Sequence, residues 1–336
     1  MIDIFNDGSW LPLSFAALMG LAMLIYATLD GYDLGVGILQ PLAQDDDKDV
    51  MIASIGPFWD ANETWLVLGV GLLLVAFPAA HGLILTNLYL PVVFMLVGLI
   101  LRGVAFDFRA KGKPEHKPMW NKAFFAGSLL MAISQGYMLG SYILGFERSV
   151  GAFFFSLLVG GGVAAGYCLI GSCWLIMKTE GALQLKAIRW ARVSLWATML
   201  GIALVSLATP LASSRIFDKW FTLPQFYYLL PVPILTGVLV IALDYVLRRL
   251  PRADDQGCWQ PFAGTVAVYV LCFVGLAYSF FPYIVPDKLL ITEAASAPES
   301  LIVILVGALV VLPVLIGYTF LAYKIFHGKA RELTYD

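Results

Sequence analysis

The chain has 336 residues and a mean hydropathy of +0.84, and only 13% of its residues are charged. Soluble globular proteins carry about 25% charged residues, so this composition excludes a soluble protein and indicates a polytopic membrane protein. The formal net charge of −2 gives no sign of a nucleic acid partner, which would favour a basic chain.

Uncharged runs of about the length that spans a bilayer recur along the chain. Eight of them lie at residues 11–29, 82–101, 123–146, 150–177, 193–214, 221–243, 257–286 and 300–323. A ninth run, 65–80, reaches spanning length only if the polar residues 59–64 extend the helix. We therefore predict an all-α polytopic membrane protein with about nine transmembrane helices, as one integral membrane domain over residues 1–336.

The connectors are too short to form a soluble domain, so the helices must pack on one another. We predict a four-helix bundle over residues 1–148, a second over 149–290, and a peripheral last helix with its tail over 291–336. If the N-terminus is outside, seventeen of the 21 Lys and Arg residues, Arg331 among them, fall on the inner side. The positive-inside rule then predicts an outside N-terminus and a cytoplasmic C-terminus. Residues 1–10 are acidic, so we expect no cleavable signal peptide.

The first apolar run ends in an acidic cluster, Leu-Asp-Gly-Tyr-Asp-Leu-Gly-Val-Gly at residues 29–37. Asp30 and Asp33 share a face if the helix continues, and Gly31 and Gly35 would let another helix approach closely. Carboxylates beside hydrocarbon are costly and usually functional. Two interpretations stay open: a packing seam whose carboxylates bond to neighbouring helices, and a direct part in proton movement.

A second acidic cluster, Gly-Pro-Phe-Trp-Asp-Ala-Asn-Glu-Thr-Trp-Leu, occupies residues 56–66. The Gly-Pro pair ends one segment and begins a helix, so Asp60 falls in the first turn, where the helix dipole favours a carboxylate. The dipole accounts less well for Glu63, which enters the apolar run. Trp59 and Trp65 are interface anchors if taken singly, but with the two acids they suggest the lining of a proton or water entrance.

Two positions predict ion pairs near the inner surface. Arg102 lies in the apolar part of the third helix and needs a carboxylate partner. The candidates are Asp33, Asp60 and Asp107. Asp244 and Arg248 are four residues apart at the inner end of the seventh helix and are oriented to pair. We predict structural ion pairs for Arg102, Asp107, Asp244 and Arg248.

The sequence lacks the usual signatures of a redox or metal centre. None of its three His residues lies in the middle of a predicted span, which argues against a haem held by two axial His residues. No His, Cys and carboxylate set has metal spacing, and the four cysteines form no Cys-x-x-Cys. We therefore expect neither a metal, a cofactor nor a catalytic residue in this chain itself.

Three segments together resemble subunit II of the cytochrome bd-type quinol oxidases: residues 30–37, 56–66 and Arg-Gly-Val-Ala-Phe-Asp-Phe-Arg at 102–109. The segment Phe-Phe-Pro-Tyr-Ile-Val-Pro at 280–286 is similar to the eighth helix of that family. The resemblance covers essentially the whole chain. The chain is short, and in this respect it is similar to the cyanide-insensitive branch of the family.

The resemblance implies a haem-free subunit of an electrogenic quinol:oxygen oxidoreductase in the bacterial inner membrane. It implies a heterodimer with a larger subunit I that carries two haems b, the haem d that reduces oxygen to water, and the loop that oxidises quinol. A small single-helix accessory subunit is compatible with the family. The lipid bilayer is the remaining partner, and no nucleic acid is expected.

The resemblance also implies roles for residues. Asp60 matches a carboxylate associated with proton uptake from the inside, and Trp65 matches a Trp associated with an oxygen route to the partner, to which we add Trp59. Asp30 and Asp33 belong to the family motif without a fixed role. At positions 61 and 63 this chain has Ala and Glu, where other members of the family have Gly and Gln or Glu, so the resemblance gives Glu63 no fixed role in the proton pathway.

A proton-coupled secondary transporter is the alternative function, with the acidic clusters as its coupling site. Transport sites are usually marked by interrupted helices in corresponding halves of the chain, and the sequence has no such pair. The carboxylates also lie toward the inner surface rather than the midplane. A purely structural membrane scaffold is a third interpretation, which Asp60 and Glu63 argue against only weakly.

Overall fold

The structure, a computed structural model, describes residues 10–330. Residues 1–9, which hold most of the acidic N-terminal segment, and Arg331 lie outside the described part. Its α-helices are α1 (Trp10–Leu39), α2 (Asp45–Ile55), α3 (Trp59–Ala76), α4 (Pro78–Lys111), α5 (Lys117–Ile143), α6 (Val150–Lys178), α7 (Gly181–Ala212), α8 (Ser214–Phe221), α9 (Gln225–Leu229), α10 (Pro231–Arg248), α11 (Gln260–Phe280), α12 (Ile291–Ala294) and α13 (Pro298–Ile325). Short 3-10 turns occupy Gln40–Leu42, Pro114–His116 and Ala253–Asp255.

The prediction of an all-α membrane fold with about nine spans is confirmed. Within residues 10–330, eight helical segments are long and apolar enough to cross a membrane. A ninth span results if α2 and α3, which are bent by 51° at the Gly-Pro break, are taken together. Helix α3 begins at Trp59, so the polar residues 59–64 are helical, as the short apolar run requires.

Three helices differ in extent from the uncharged runs of the sequence. Helix α1 continues past residue 29 to Leu39, so the first acidic cluster lies inside a helix. The uncharged run 221–243 takes in the last residue of α8, all of α9 and most of α10, and two of its three prolines, Pro224 and Pro231, lie where these helices are interrupted. Helix α11 ends at Phe280, and the following residues form an antiparallel hairpin of β1 (Tyr283–Val285) and β2 (Leu289–Leu290).

Helix α1 lies at the centre of the molecule and packs on α3, α5 and α6. Its contact with α6 depends on glycine: a Cβ atom at Gly35 would lie 1.8 Å from the Tyr167 carbonyl oxygen, and one at Gly31 would lie 2.8 Å from the Tyr167 ring. The close approach that the small residues suggested is therefore present. Because α1 contacts helices assigned to both bundles, the division at residues 148 and 149 stays a prediction.

The two ends of the helix bundle differ in charge. The end at which α1, α4, α6, α10 and α13 finish carries most of the Lys and Arg residues, and we call it the basic end. There, Lys178 Nζ donates to the carbonyl of Gly328 at 3.1 Å and so ties the tail to the end of α6. The opposite end holds the hairpin, where the Tyr142 hydroxyl donates to the Ile284 carbonyl.

Candidate functional site

A buried ionic cluster joins α1, α3 and α4 toward the basic end. Arg102 is only 1% exposed. Its Nη1 donates to Asp30 Oδ1 at 2.6 Å, and its Nη2 donates to Glu63 Oε1. Neither carboxylate was among the partners considered for Arg102. Asp107 instead lies on the surface, 3.8 Å from Lys111.

Asp33, on the same helix as Asp30, is fully buried and bonds to α3. Its Oδ2 accepts from Asn62 Nδ2 at 2.8 Å, and the same nitrogen contacts the Tyr32 hydroxyl at 2.9 Å. Tyr323 on α13 completes this group, with its hydroxyl 2.6 Å from that of Tyr32 and 3.3 Å from Asn62 Oδ1. Asp33 thus has a polar, uncharged hydrogen-bond partner, whereas Asp30 has a guanidinium.

The cluster contains more carboxylates than cations. Asp30, Asp33 and Glu63 surround one guanidinium, that of Arg102. Asp30 Oδ2 and Asp33 Oδ1 are buried without a hydrogen-bond partner among the described residues. Burying excess negative charge is costly, so the arrangement is suited to accept a proton.

A cleft between α3 and α4 leads from the surface to this cluster. Its volume is about 380 Å³. Its lining residues are Trp59, Asp60, Glu63, Leu99, Ile100, Gly103, Val104, Asp107 and Phe108. Asp60 is exposed in the first turn of α3, whereas the Glu63 side chain is 19% exposed. Glu63 therefore faces the cleft and contacts buried Arg102, so it connects the cleft with the buried ionic cluster.

The two tryptophans of α3 lie in different environments. Trp59 is half-buried, lines the cleft and packs on Phe106 with ring centroids 5.0 Å apart. Trp65 is 5% exposed and packs in the core with Ala22 and Tyr26 of α1. Trp65 is therefore packed against α1 and does not have the exposure of an interface anchor, and its part in an oxygen route stays a prediction.

A second buried polar chain crosses three helices, and sequence reasoning missed it. The Tyr167 hydroxyl donates to Gln135 Oε1 at 2.6 Å, and Gln135 Nε2 donates to the Tyr26 hydroxyl at 2.7 Å. Tyr26 precedes Asp30 by one helical turn. The signals were present: Gln135 stands inside the apolar run 123–146, and Tyr26 stands four residues before an acid.

The structure brings Asp244 and Arg248 together near the surface of the basic end. Asp244 Oδ2 accepts from Arg248 Nε at 2.6 Å, and Arg192 Nε lies 3.9 Å from Asp244 Oδ1. The Arg248 side chain is 59% exposed and that of Asp244 is 12% exposed, so the cation of this pair is solvated. Within residues 10–330, no group of three or more His, Cys, Asp and Glu residues is placed to hold a metal ion.

Comparison with known proteins shows one consistent family. The family model described as cytochrome bd terminal oxidase subunit II matches residues 11–326. Cytochrome bd-I ubiquinol oxidase subunit 2 of Escherichia coli strain K12 is 26% identical over 362 residues, with 94% of each chain covered. Cytochrome bd ubiquinol oxidase subunit 2 of Bacillus subtilis strain 168 is 27% identical, with 90% of this chain and 92% of the relative covered. The bd oxidase structure from Geobacillus thermodenitrificans shares the fold, with a TM-score of 0.79 at 17% identity over 94% of this chain and 98% of that one.

Proposed function

The chain belongs to the cytochrome bd terminal oxidase subunit II family, and on this premise we propose that it is the haem-free subunit that delivers protons to a partner's oxygen-reducing haem. It is a bacterial membrane protein and a subunit of a quinol:oxygen oxidoreductase. Family membership does not favour the alternative of a proton-coupled transporter. The observation that carries the proposal is Glu63, which reaches from an acidic cleft to a buried guanidinium.

The three histidines of this chain are not placed to hold a haem between two axial His residues. His81 lies in the first turn of α4, His116 lies in the connector before α5, and His327 follows α13. All three are therefore at or beyond helix ends, whereas an axial ligand would have to reach a haem within the bundle. The proposal accordingly assigns the two haems b, the haem d and the quinol-oxidising loop to the larger subunit I. It leaves room for a small single-helix accessory subunit.

The cleft face is the surface that we assign to subunit I. Val67, Ile100 and Val104 expose 70%, 61% and 40% of their surface around the cleft. An apolar face suits either lipid or a protein partner, but carboxylates that face lipid are costly. Asp60 and Glu63 in the same cleft therefore favour a protein partner, which would continue the proton route.

The proposed route begins at Asp60, which is exposed at the mouth of the cleft. A proton from the inner solution passes to Glu63 and then to the carboxylates around Arg102. The guanidinium keeps these acids in place by charge-assisted hydrogen bonds. This route requires the basic end to face the cytoplasm, so the proposal includes an outside N-terminus and an inside C-terminus, in accord with the positive-inside rule.

The direct test is Asp60→Asn in the purified complex, with Asp46→Asn as the matched control. Asp46 is an exposed carboxylate in the first turn of α2 and has no ion pair among the described residues. We expect Asp60→Asn to slow oxygen reduction while the haem spectrum and the subunit ratio stay normal, and Asp46→Asn to change none of these. Turnover of Asp60→Asn at the wild-type rate would make Asp60 a helix-dipole residue only.

The assignment of haem to the partner has its own test. The affinity-purified complex should contain a larger second chain and show b- and d-type bands in a reduced-minus-oxidised spectrum. This chain, separated from the partner, should be colourless. Haem that stays with the separated chain would contradict the haem-free assignment.

A further inference from the structure

We propose that Tyr26 is a positioning residue for proton transfer: supported from behind by Gln135 and Tyr167, its hydroxyl holds Asp30 as the ionised partner of Arg102, so that the exchangeable proton of the cluster resides on Asp33. The inference rests on the proposed proton supply. It assigns different roles to Asp30 and Asp33, which the proposed route treats as equivalent. It gives a role to a polar chain that lies outside the cleft.

The hydrogen bonds of the chain have a direction. Gln135 Oε1 accepts from Tyr167, so its amide nitrogen faces Tyr26 and donates to the Tyr26 oxygen. The Tyr26 hydrogen must then be donated to another acceptor. Asp30 lies one turn further along α1 on the same face, and its buried Oδ2 has no hydrogen-bond partner among the described residues, so we assign it as the acceptor of the Tyr26 hydroxyl.

Packing of α6 on α1 fixes the position of these hydrogen-bonded side chains. The Tyr167 ring fits against Gly31, where a Cβ atom would lie 2.8 Å away, and the Tyr167 carbonyl lies against Gly35. The glycines of the acidic motif therefore bring the α6 tyrosine close to α1, next to Asp30. This explains why the acids and the glycines occur in one motif, because the close contact of α1 with α6 positions the hydrogen-bonded residues Tyr167, Gln135 and Tyr26 beside Asp30.

This series of hydrogen-bonded side chains is suited to donate a hydrogen bond rather than to conduct protons. A primary amide has two hydrogens on nitrogen and a separate acceptor oxygen, so a proton that arrived at the oxygen could not leave from the nitrogen without an unstable tautomer. Gln135 therefore interrupts proton hopping between the two tyrosines. Its dipole instead strengthens the donation by Tyr26, because aligned hydrogen bonds polarise one another in a low-dielectric interior.

The consequence is an asymmetry between the two aspartates. Asp30 accepts from a guanidinium and faces a tyrosine hydroxyl, whereas Asp33 accepts from one neutral amide, that of Asn62. The charged or titratable groups that face Asp33 from the packed helices are Asp30, Tyr32, Glu63, Arg102 and Tyr323. Arg102, the cation among them, is bonded to Asp30 and Glu63. The neutral form therefore costs least at Asp33, whose free Oδ1 can carry the hydrogen.

The test is infrared spectroscopy of the purified complex with ¹³C-labelled aspartate. We expect a protonated carboxyl band in the wild type that is lost in Asp33→Asn, because Asp30 stays ionised. In the double variant Tyr26→Phe/Asp33→Asn, a carboxyl band should return, since Asp30 has lost a donor and takes up the proton. Normal haem bands in each variant show that the complex is assembled.

Tyr137→Phe is the matched control. Tyr137 lies on α5 near Gln135, and its hydroxyl has no hydrogen bond within residues 10–330, so Tyr137→Phe/Asp33→Asn should show no returning band. A wild-type band that survives in Asp33→Asn, or a Tyr26→Phe double variant that matches the Tyr137→Phe one, would overturn the inference. Because no turnover is measured, these outcomes are separate from the Asp60→Asn test of the proposed function.

Discussion

Two ion pairs at the basic end use the same residue types in different surroundings. Asp30 and Arg102 are 0% and 1% exposed, whereas in the second pair the Asp244 side chain is 12% exposed and the Arg248 side chain is 59% exposed. A solvated pair contributes about 0–1 kcal/mol, but removing one partner of a buried pair costs about 3–5 kcal/mol, because a charge is left uncompensated. The two pairs differ in the burial of the cation, and this burial, not the presence of an ion pair, marks the functional cluster.

Removal of the buried cation should have the largest effect. We expect Arg102→Leu to destabilise the complex by about 3–5 kcal/mol, since Asp30 and Glu63 lose their partner. Thermal melting of the purified complex, followed by its haem absorbance, measures this. Arg102→Lys keeps the charge without the two-pronged geometry and should recover part of the loss. A melting temperature of Arg102→Leu equal to that of the wild type would mean that Arg102 is as accessible to solvent as Arg248.

The glycine seam that encloses the cluster should be the next most sensitive. Gly35→Ala puts a Cβ atom 1.8 Å from the Tyr167 carbonyl oxygen, so α1 and α6 must separate. Overpacking typically costs about 1–3 kcal/mol, and we expect a lower melting temperature and lower yield of assembled complex. Gly71→Ala on α3, where a Cβ atom meets nothing within 4 Å, is the control and should be neutral. Equal behaviour of the two variants would refute the close packing of α1 on α6.

Loss of the Asp33 donor should have an intermediate effect. Asn62→Ala leaves Asp33 Oδ2 without its hydrogen bond in a buried site, which costs about 1–3 kcal/mol. Urea or thermal unfolding of the complex would show this as a reduced midpoint. The control is Asn87→Ala, because within residues 10–330 the Asn87 side chain bonds only to the Leu83 carbonyl of its own helix. If Asn87→Ala proved as destabilising as Asn62→Ala, the hydrogen bond to Asp33 would contribute no more to stability than an ordinary bond within one helix.

The pair with the exposed cation should show the smallest effect. We expect Arg248→Leu to change stability by about 1 kcal/mol or less, because the Arg248 side chain is already 59% exposed and Arg192, 3.9 Å from Asp244 Oδ1, remains as a cation beside the carboxylate. The same melting assay would detect a larger loss. A loss close to that of Arg102→Leu would remove the distinction between the two regions.

The sequence predicted the number of spans, the helix break at Gly-Pro, and the acids that line the cleft, because each depends on local pattern. The partners of Arg102 were missed because they depend on where helices end. Asp30 lies nine residues before the end of α1 at Leu39, and Arg102 lies nine residues before the end of α4 at Lys111, so they are at equal depth. Since the first apolar run was ended at residue 29, this match was hidden.

The polar chain behind Asp30 was missed for a different reason. Gln135 and the two tyrosines are single polar residues on three separate helices, and no spacing rule connects them. Their contact depends on the α1–α6 seam, which the glycines predicted only as close packing. The different roles that we propose for Asp30 and Asp33 could therefore be inferred only from the three-dimensional arrangement.

The most direct test of the proposed proton supply is the rate of proton uptake during a single oxygen-reducing turnover of the purified complex, followed with a pH indicator. We expect Asp60→Asn/Glu63→Gln to slow uptake by about tenfold or more, which corresponds to a barrier raised by about 1.4 kcal/mol, while Asp46→Asn stays at the wild-type rate. Uptake by the double variant at the wild-type rate would show that protons reach the haem without passing through this cleft.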